Sequence, residues 1–241
     1  MNPIVRILLG AAFFLSTTVH AELTLDTKYL GLSKELSQLG WDESKPVDKF
    51  MEHEDKTIRA DLLARNEITP ESMITWGAYG HAHVMFNGKD YYLRAFNYQT
   101  AAQDKEYDKS LAAKRKSQAL PGGGACVLYV NDKHLKKVAA LKISLPENHY
   151  GTWCNGVEGI GSAGKGRDGV LVSLSYYLTD NKLAKRAEDI GQDWRYMTVL
   201  IRFAETNGKL TLTQDDHCLG NPNKYKGIPA ARKALSRCES Q

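Results

Sequence analysis

A chain of 241 residues carrying a formal charge of +4 is long enough to bury an ordinary core without metals or dense stapling, and one domain is the expectation. The charge is too mild to select nucleic acid or anionic lipid as a partner. No apolar stretch of membrane-spanning length follows the first 21 residues, so no stable membrane anchor is expected.

Residues 1–21 read as a signal peptide. Met1 to Arg6 carries one positive charge, Ile7 to Phe14 is apolar, and Val19-His20-Ala21 is a small-residue cleavage pattern before Glu22. No cysteine follows that site, which excludes a lipid attached there. Residues 22–241 are then one exported domain, periplasmic or secreted, with a helical lead-in over 22–72 and a mainly β part over 73–241.

In the lead-in, Asp26 can cap a helix from Thr27 to Leu39 that Gly40 stops. Pro46 then opens a second helical stretch through Leu63. The charged block Glu52 to Lys56 interrupts its apolar spacing and predicts two short helices. Thr69-Pro-Glu-Ser72 resembles a further helix start.

From Met73 the pattern becomes strands. Trp76 to Phe86 and Lys89 to Phe96 flank Asn87-Gly88, a dipeptide that reaches positive φ cheaply and predicts a hairpin. Residues 101–118 are charged and Ala-rich, an exposed helix or a loop. Ala125 to Val130 and Lys137 to Leu145 are strands around Asn131-Asp132, and 146–168 is loop-rich. Val170 to Leu178, Trp194 to Phe203 and Lys209 to Thr213 are three more strands, the last two joined at Asn207-Gly208. The Trp194 run carries large apolar groups on both faces, which predicts an internal strand. Lys182 to Ile190 can make two surface helical turns, and Pro229 starts a terminal helix whose Ala231, Leu235 and Cys238 share a face.

The four cysteines are even in number, and in an oxidising compartment they read as two disulfides. Proximity in sequence favours Cys126 with Cys154 and Cys218 with Cys238. Their spacing matches no CxxC zinc pattern.

Chemistry-bearing patterns are few. Gly159-Ile-Gly-Ser-Ala-Gly-Lys165 satisfies GxGxxG and part of a phosphate-binding loop. Gly166 stands where a hydroxyl is needed, however, and a strand follows where a helix is needed, so the stretch reads as a loop between strands. His81 and His83, two apart on a strand, point the same way and could share a metal with His217 from the polar turn Asp215-Asp216-His217. No GxSxG elbow is present, and adjacent acids on a strand point to opposite faces. Tyr91-Tyr92 and Tyr176-Tyr177 each put one ring on either face of a sheet.

The fold class expected is therefore α+β: a mainly antiparallel sheet of about seven or more strands behind short N-terminal helices, stabilised by disulfides. The function expected is binding another protein, as an inhibitor or an immunity-type protein that neutralises its target, with no cofactor and no catalytic set. Lys165, Arg167, Asp215 and Asp216, on two loops of the β part, are the candidate contact residues. Two alternatives stand beside this reading: a metal-dependent exported hydrolase using His81, His83 and the Asp215 to His217 turn, and a small-ligand or glycan binder using exposed tyrosines.

Overall fold

The structure is a computed structural model and describes residues 23–26, 46–101, 124–146, 152–178 and 194–238. The signal peptide, the helix expected over Thr27 to Leu39, residues 102–118 and the turns expected over Lys182 to Ile190 lie outside the described residues.

Nine strands are present among the described residues, in two antiparallel sheets whose spatial order is their chain order. Sheet A holds β1 (Leu23–Asp26), β2 (Ile74–Phe86), β3 (Lys89–Tyr98), β4 (Ala125–Asp132) and β5 (Lys137–Lys142). Sheet B holds β6 (Thr152–Ser162), β7 (Gly169–Leu178), β8 (Trp194–Thr206) and β9 (Lys209–Asp215). Both Asn-Gly steps form tight hairpins with two consecutive positive φ values, 52° and 71° at Asn87-Gly88 and 52° and 76° at Asn207-Gly208. This is the geometry that matches strand twist.

The sheets pack face to face. The period-2 alternation sends Ala82, Val84 and Phe86 of β2, Tyr91, Leu93 and Ala95 of β3, and Leu128 and Val130 of β4 inward. They meet Val170, Val172, Leu174 and Tyr176 of β7 and Met197, Val199, Ile201 and Phe203 of β8 in one core. At one margin Gly124 and Cys154 exchange backbone hydrogen bonds of 3.1 and 2.7 Å. Near the β5 and β9 edges the Gln214 side chain bonds both the N–H and the carbonyl of Ser144, at 2.9 and 3.1 Å. The two disulfides are Cys126–Cys154, which joins β4 to β6 through the core, and Cys218–Cys238, which ties the end of β9 to the last helix; their Cα separations are 5.3 and 5.7 Å. This is the pairing favoured by nearness in sequence.

Each sheet carries a helix on its outer face. α1 (Pro46–Ala64) lays Ile58 and Leu62, with Ile68 after it, over Phe96, Tyr98, Val127 and Tyr129 of sheet A. α2 (Ile228–Cys238) lays Ala231 and Leu235 over Leu171 and Leu200 of sheet B. α1 is a single helix rather than two. Its charged block is stabilised as helix by i,i+4 pairs, Glu52 with Lys56 at 2.8 Å and Asp55 with Arg59 at 3.9 Å, so the missing apolar spacing there marks a solvent face and not a break. It ends in a Schellman turn, with Asn66 at φ 55° and hydrogen bonds from Asn66 to Leu63 and from Glu67 to Leu62.

Three other expectations are corrected. Leu23–Asp26 pairs with β2 and is a strand, not helical lead-in. Thr69 to Ser72 is a turn closed by Ser72 N–H to the Thr69 carbonyl at 3.1 Å, and no helix starts there. The loop-rich stretch contains β6. Its glycines hid it, and Gly161 is needed because a Cβ there would lie 2.6 Å from the Ile228 Cγ2 of α2. Gly159 to Ser162 is thus strand, and the link to β7 is the short turn 163–168.

Candidate functional site

On the outer face of sheet A, α1 is fastened by a polar network. Tyr129 of β4 donates to Asp61 Oδ2 at 2.5 Å and accepts from Arg65 Nη2 at 2.5 Å, while Tyr98 of β3 donates to Glu67. Arg65 also pairs with Asp61, at 3.0 Å, and with Glu67, and Lys137 of β5 pairs with Asp61. Burial and the facing acids push both phenols well above their usual range, so they remain donors. Burial would raise the Asp61 carboxyl too, but Lys137, Tyr129 and Arg65 outweigh it and hold the group below its usual value. A half-open cleft of about 420 Å³ adjoins, lined by Arg65, Glu67, Tyr98, Val127, Tyr129 and Lys142 among others. The acids, phenols and guanidinium around it satisfy one another, which is the arrangement of an anchor.

Further along the same face, His81 stands opposite the fully buried Arg94, and His83 stands opposite Tyr92. Burial, and then the Arg94 guanidinium, push the His81 imidazole down to about 3, so it is neutral at physiological pH. His83 Nε2 lies 2.9 Å from Asp90 Oδ1, with its ring 5.3 Å from that of Tyr92. His217 follows β9 of the other sheet, and among the described residues neither His81 nor His83 joins it in a group near enough to share an ion. The three imidazoles proposed as one metal site are therefore not brought together. The group of three donors that the described residues do gather is His217, Cys218 and Cys238, within 4.8 Å of one another.

Sheet B is covered differently. Among the described residues, α2 and the segment leading to it cross part of its outer face. Asn223 extends the ladder beyond the end of β9: its Oδ1 accepts the Thr198 N–H at 3.1 Å and its Nδ2 donates to the Thr198 carbonyl at 2.9 Å. Thr198 Oγ1 donates to the Tyr225 carbonyl at 2.8 Å, and Ser173 Oγ donates to that of Lys226 at 3.3 Å. Past Lys226 the face carries aromatic rings. The register aligns Trp153 of β6, Tyr177 of β7 and Trp194 of β8 in one row across three strands. Tyr177 and Trp194 meet edge to face at 4.8 Å and 85°. Trp194 is 40% exposed, one of the few large apolar side chains left so open among the described residues.

The next row supplies polar groups. Tyr196 lies under Lys226 Nζ, 4.6 Å from the ring centroid. Buried Ser175 donates to Glu158 Oε1 at 2.7 Å and accepts from Asn155 Nδ2 at 3.0 Å. Burial raises the Tyr177 phenol, which keeps it a donor. The result is an aromatic patch with the exposed Glu158 carboxylate and the exposed Lys226 ammonium at its margin.

The charged residues expected to make contacts are mostly committed internally. Arg202 of β8 bonds Asp168 at 2.7 Å and Asp215 at 2.9 Å, so it links the 163–168 turn to the end of β9 and makes these two loops neighbours. Burial would raise the Asp215 carboxyl, but Arg202 and the His217 N–H overcome it and lower it. Asp216 accepts from Gln214 at 2.9 Å and from Asn221 at 3.2 Å. Arg167 Nη1 donates to the Ala163 carbonyl at 3.1 Å, across Gly164. Lys165 is exposed at the turn tip. Sequence reasoning missed Trp153 because it sits among glycines. Alternation separates Tyr176 from Tyr177 but does not tell which face α2 covers.

No protein-family model, no curated protein and no solved structure matches the chain. The two disulfides fit a non-cytoplasmic protein, and among the described residues no helix is long and apolar enough to cross a membrane.

Proposed function

We propose that the chain is an exported binding protein, of the inhibitor or immunity type, that recognises another protein through the part of the outer face of sheet B that carries Trp153, Tyr177 and Trp194. The observation that carries this reading is the row Trp153, Tyr177 and Trp194, held on three paired strands outside the cover of α2. Rings fixed on strands lose little entropy on contact, and Trp and Tyr dominate the energetics of protein interfaces. The edge-to-face pair makes no continuous flat shelf of the kind a sugar ring stacks on, which favours a protein over a glycan. Lys226 makes no ion pair among the described residues and offers its ammonium to an acidic group of the partner beside the aromatic anchor.

The test is calorimetry with the partner recovered from producing cells. Trp194→Ala should weaken binding by about 2 kcal/mol or more, roughly thirtyfold, and Lys226→Glu by a smaller factor that grows at low salt. Affinity unchanged in both variants would remove sheet B as the contact face.

A further inference from the structure

Cys218 and Cys238 are 20 residues apart, a spacing that announces no metal site, yet the fold seats both beside His217. The turn after β9 holds this arrangement. Asp215 Oδ1 accepts the His217 N–H at 3.0 Å, and the Gly220 N–H donates to the Asp216 carbonyl at 2.7 Å, so His217 and Cys218 share one short turn. His217 is exposed, Cys218 and Cys238 are half-buried, and Cys238 is at the end of α2. The other disulfide differs in kind: Cys126 and Cys154 are both completely buried in the core. A reductant in solution therefore reaches Cys218–Cys238 first.

We infer that reduction turns this staple into a three-donor site for a thiophilic d10 cation, Zn²⁺ or Cu⁺, bound by His217 Nδ1, Cys218 Sγ and Cys238 Sγ. His217 Nδ1 already lies 3.6 Å from Cys218 Sγ. A tetrahedral ion with nitrogen at about 2.0 Å and sulfur at about 2.3 Å sets those two atoms about 3.5 Å apart, so this edge of the site is in place. The other edges need the sulfur atoms about 3.8 Å apart, which Cys238 can supply by turning about its side chain once the bond is cut. Two thiolates and one imidazole suit Zn²⁺ or Cu⁺ over Mg²⁺ or Ca²⁺. The neighbouring carboxylates of Asp215 and Asp216 are held by Arg202, Gln214 and Asn221, so solvent completes the coordination.

The chemistry balances with a dithiol as reductant. It gives two electrons and two protons to the Cys218–Cys238 bond and leaves as its own disulfide. The two thiols formed release those protons to solvent as the ion binds. The ion then replaces the covalent tie between α2 and the end of β9.

The experiment uses the whole mature protein, mildly reduced, with Co²⁺ as a visible stand-in and Zn²⁺ as competitor. Thiol counting should find two thiols, circular dichroism should keep the strand signal, and Co²⁺ should give thiolate charge-transfer and tetrahedral bands saturating at one equivalent. Zn²⁺ should displace it and raise the melting temperature of the reduced protein, whereas the oxidised protein should show no such bands. His217→Ala should weaken Co²⁺ binding at least tenfold while leaving the oxidised protein's melting temperature unchanged. Four thiols, loss of the strand signal, no thiolate bands, or equal affinity in His217→Ala would each overturn the proposal.

Discussion

The two outer faces of this molecule begin alike and end differently. Each sheet is a meander with an Asn-Gly hairpin, and among the described residues each receives one amphipathic helix. On sheet A the helix brings its own polar partners: Asp61 and Arg65 on α1, with Glu67 just after it, meet Tyr98, Tyr129 and Lys137, and few of these groups are left to offer. On sheet B, among the described residues, the cover reaches Lys226 over Tyr196, and the row Trp153, Tyr177 and Trp194 lies beyond it. Both faces carry tyrosines, so composition does not separate an anchored face from one whose aromatic rings are left more open. What separates them is whether the polar tips and ring edges are already matched within the chain.

The largest test of this contrast is the covers themselves. Leu62→Ala and Leu235→Ala each remove a fully buried side chain from beneath a helix and should each cost about 2–5 kcal/mol by urea unfolding. If α2 were a loose arm rather than a cover, Leu235→Ala would cost far less than Leu62→Ala.

Next in size are the polar ties. Tyr129→Phe removes the hydroxyl shared by Asp61 and Arg65 and should cost about 1–3 kcal/mol. Asp215→Lys and Asp216→Lys should lower the melting temperature, because these carboxylates hold Arg202, Gln214 and Asn221. Unchanged melting in both would return them to the role of surface contacts that their sequence pattern suggests.

The pH dependence probes both sheets, through His81 and Asp61 on sheet A and Asp215 on sheet B. His81 has a folded value of about 3 against 6.5 when unfolded, so the unfolded chain takes up the proton first. Its contribution is fully present above pH 6.5 and is lost as pH falls towards 3. Asp61 and Asp215 are lowered from 3.8, so their contribution is present above that pH and is lost below it as they protonate in the folded state. Stability should therefore fall in two stages on acidification. His81→Gln should flatten the first stage and leave the second, as read from urea midpoints across the range.

Much of this was legible in the residues. The Asn-Gly steps, the β-branched and aromatic runs and the cysteine spacing specify hairpins, strands and disulfides through local geometry. β6 was not legible, because Gly156, Gly159 and Gly161 remove the side chains that signal a strand, and the need for them lies in bulges and in α2, which are distant in sequence. The joining of α1 across Glu52 to Lys56 was masked by reading a solvent face as an interruption. The aromatic site was half legible. Alternation assigns Tyr177 and Trp194 to faces, but which part of the outer face of sheet B lies under the segment from Asn223 through α2 is a property of tertiary structure.

The smallest expected effect on folding is also the one on which the functional reading turns. Trp194→Ala should change stability by less than about 1 kcal/mol, since the ring is largely outside the core. The most direct measurement puts a photo-crosslinking phenylalanine at Trp194 on sheet B and, in a second protein, at Met85 on the outer face of sheet A, which is 45% exposed and so equally reachable. In cells that produce the protein, irradiation should give one discrete protein adduct from position 194 and none from position 85. An adduct from position 85 alone, or from neither position, would contradict the account.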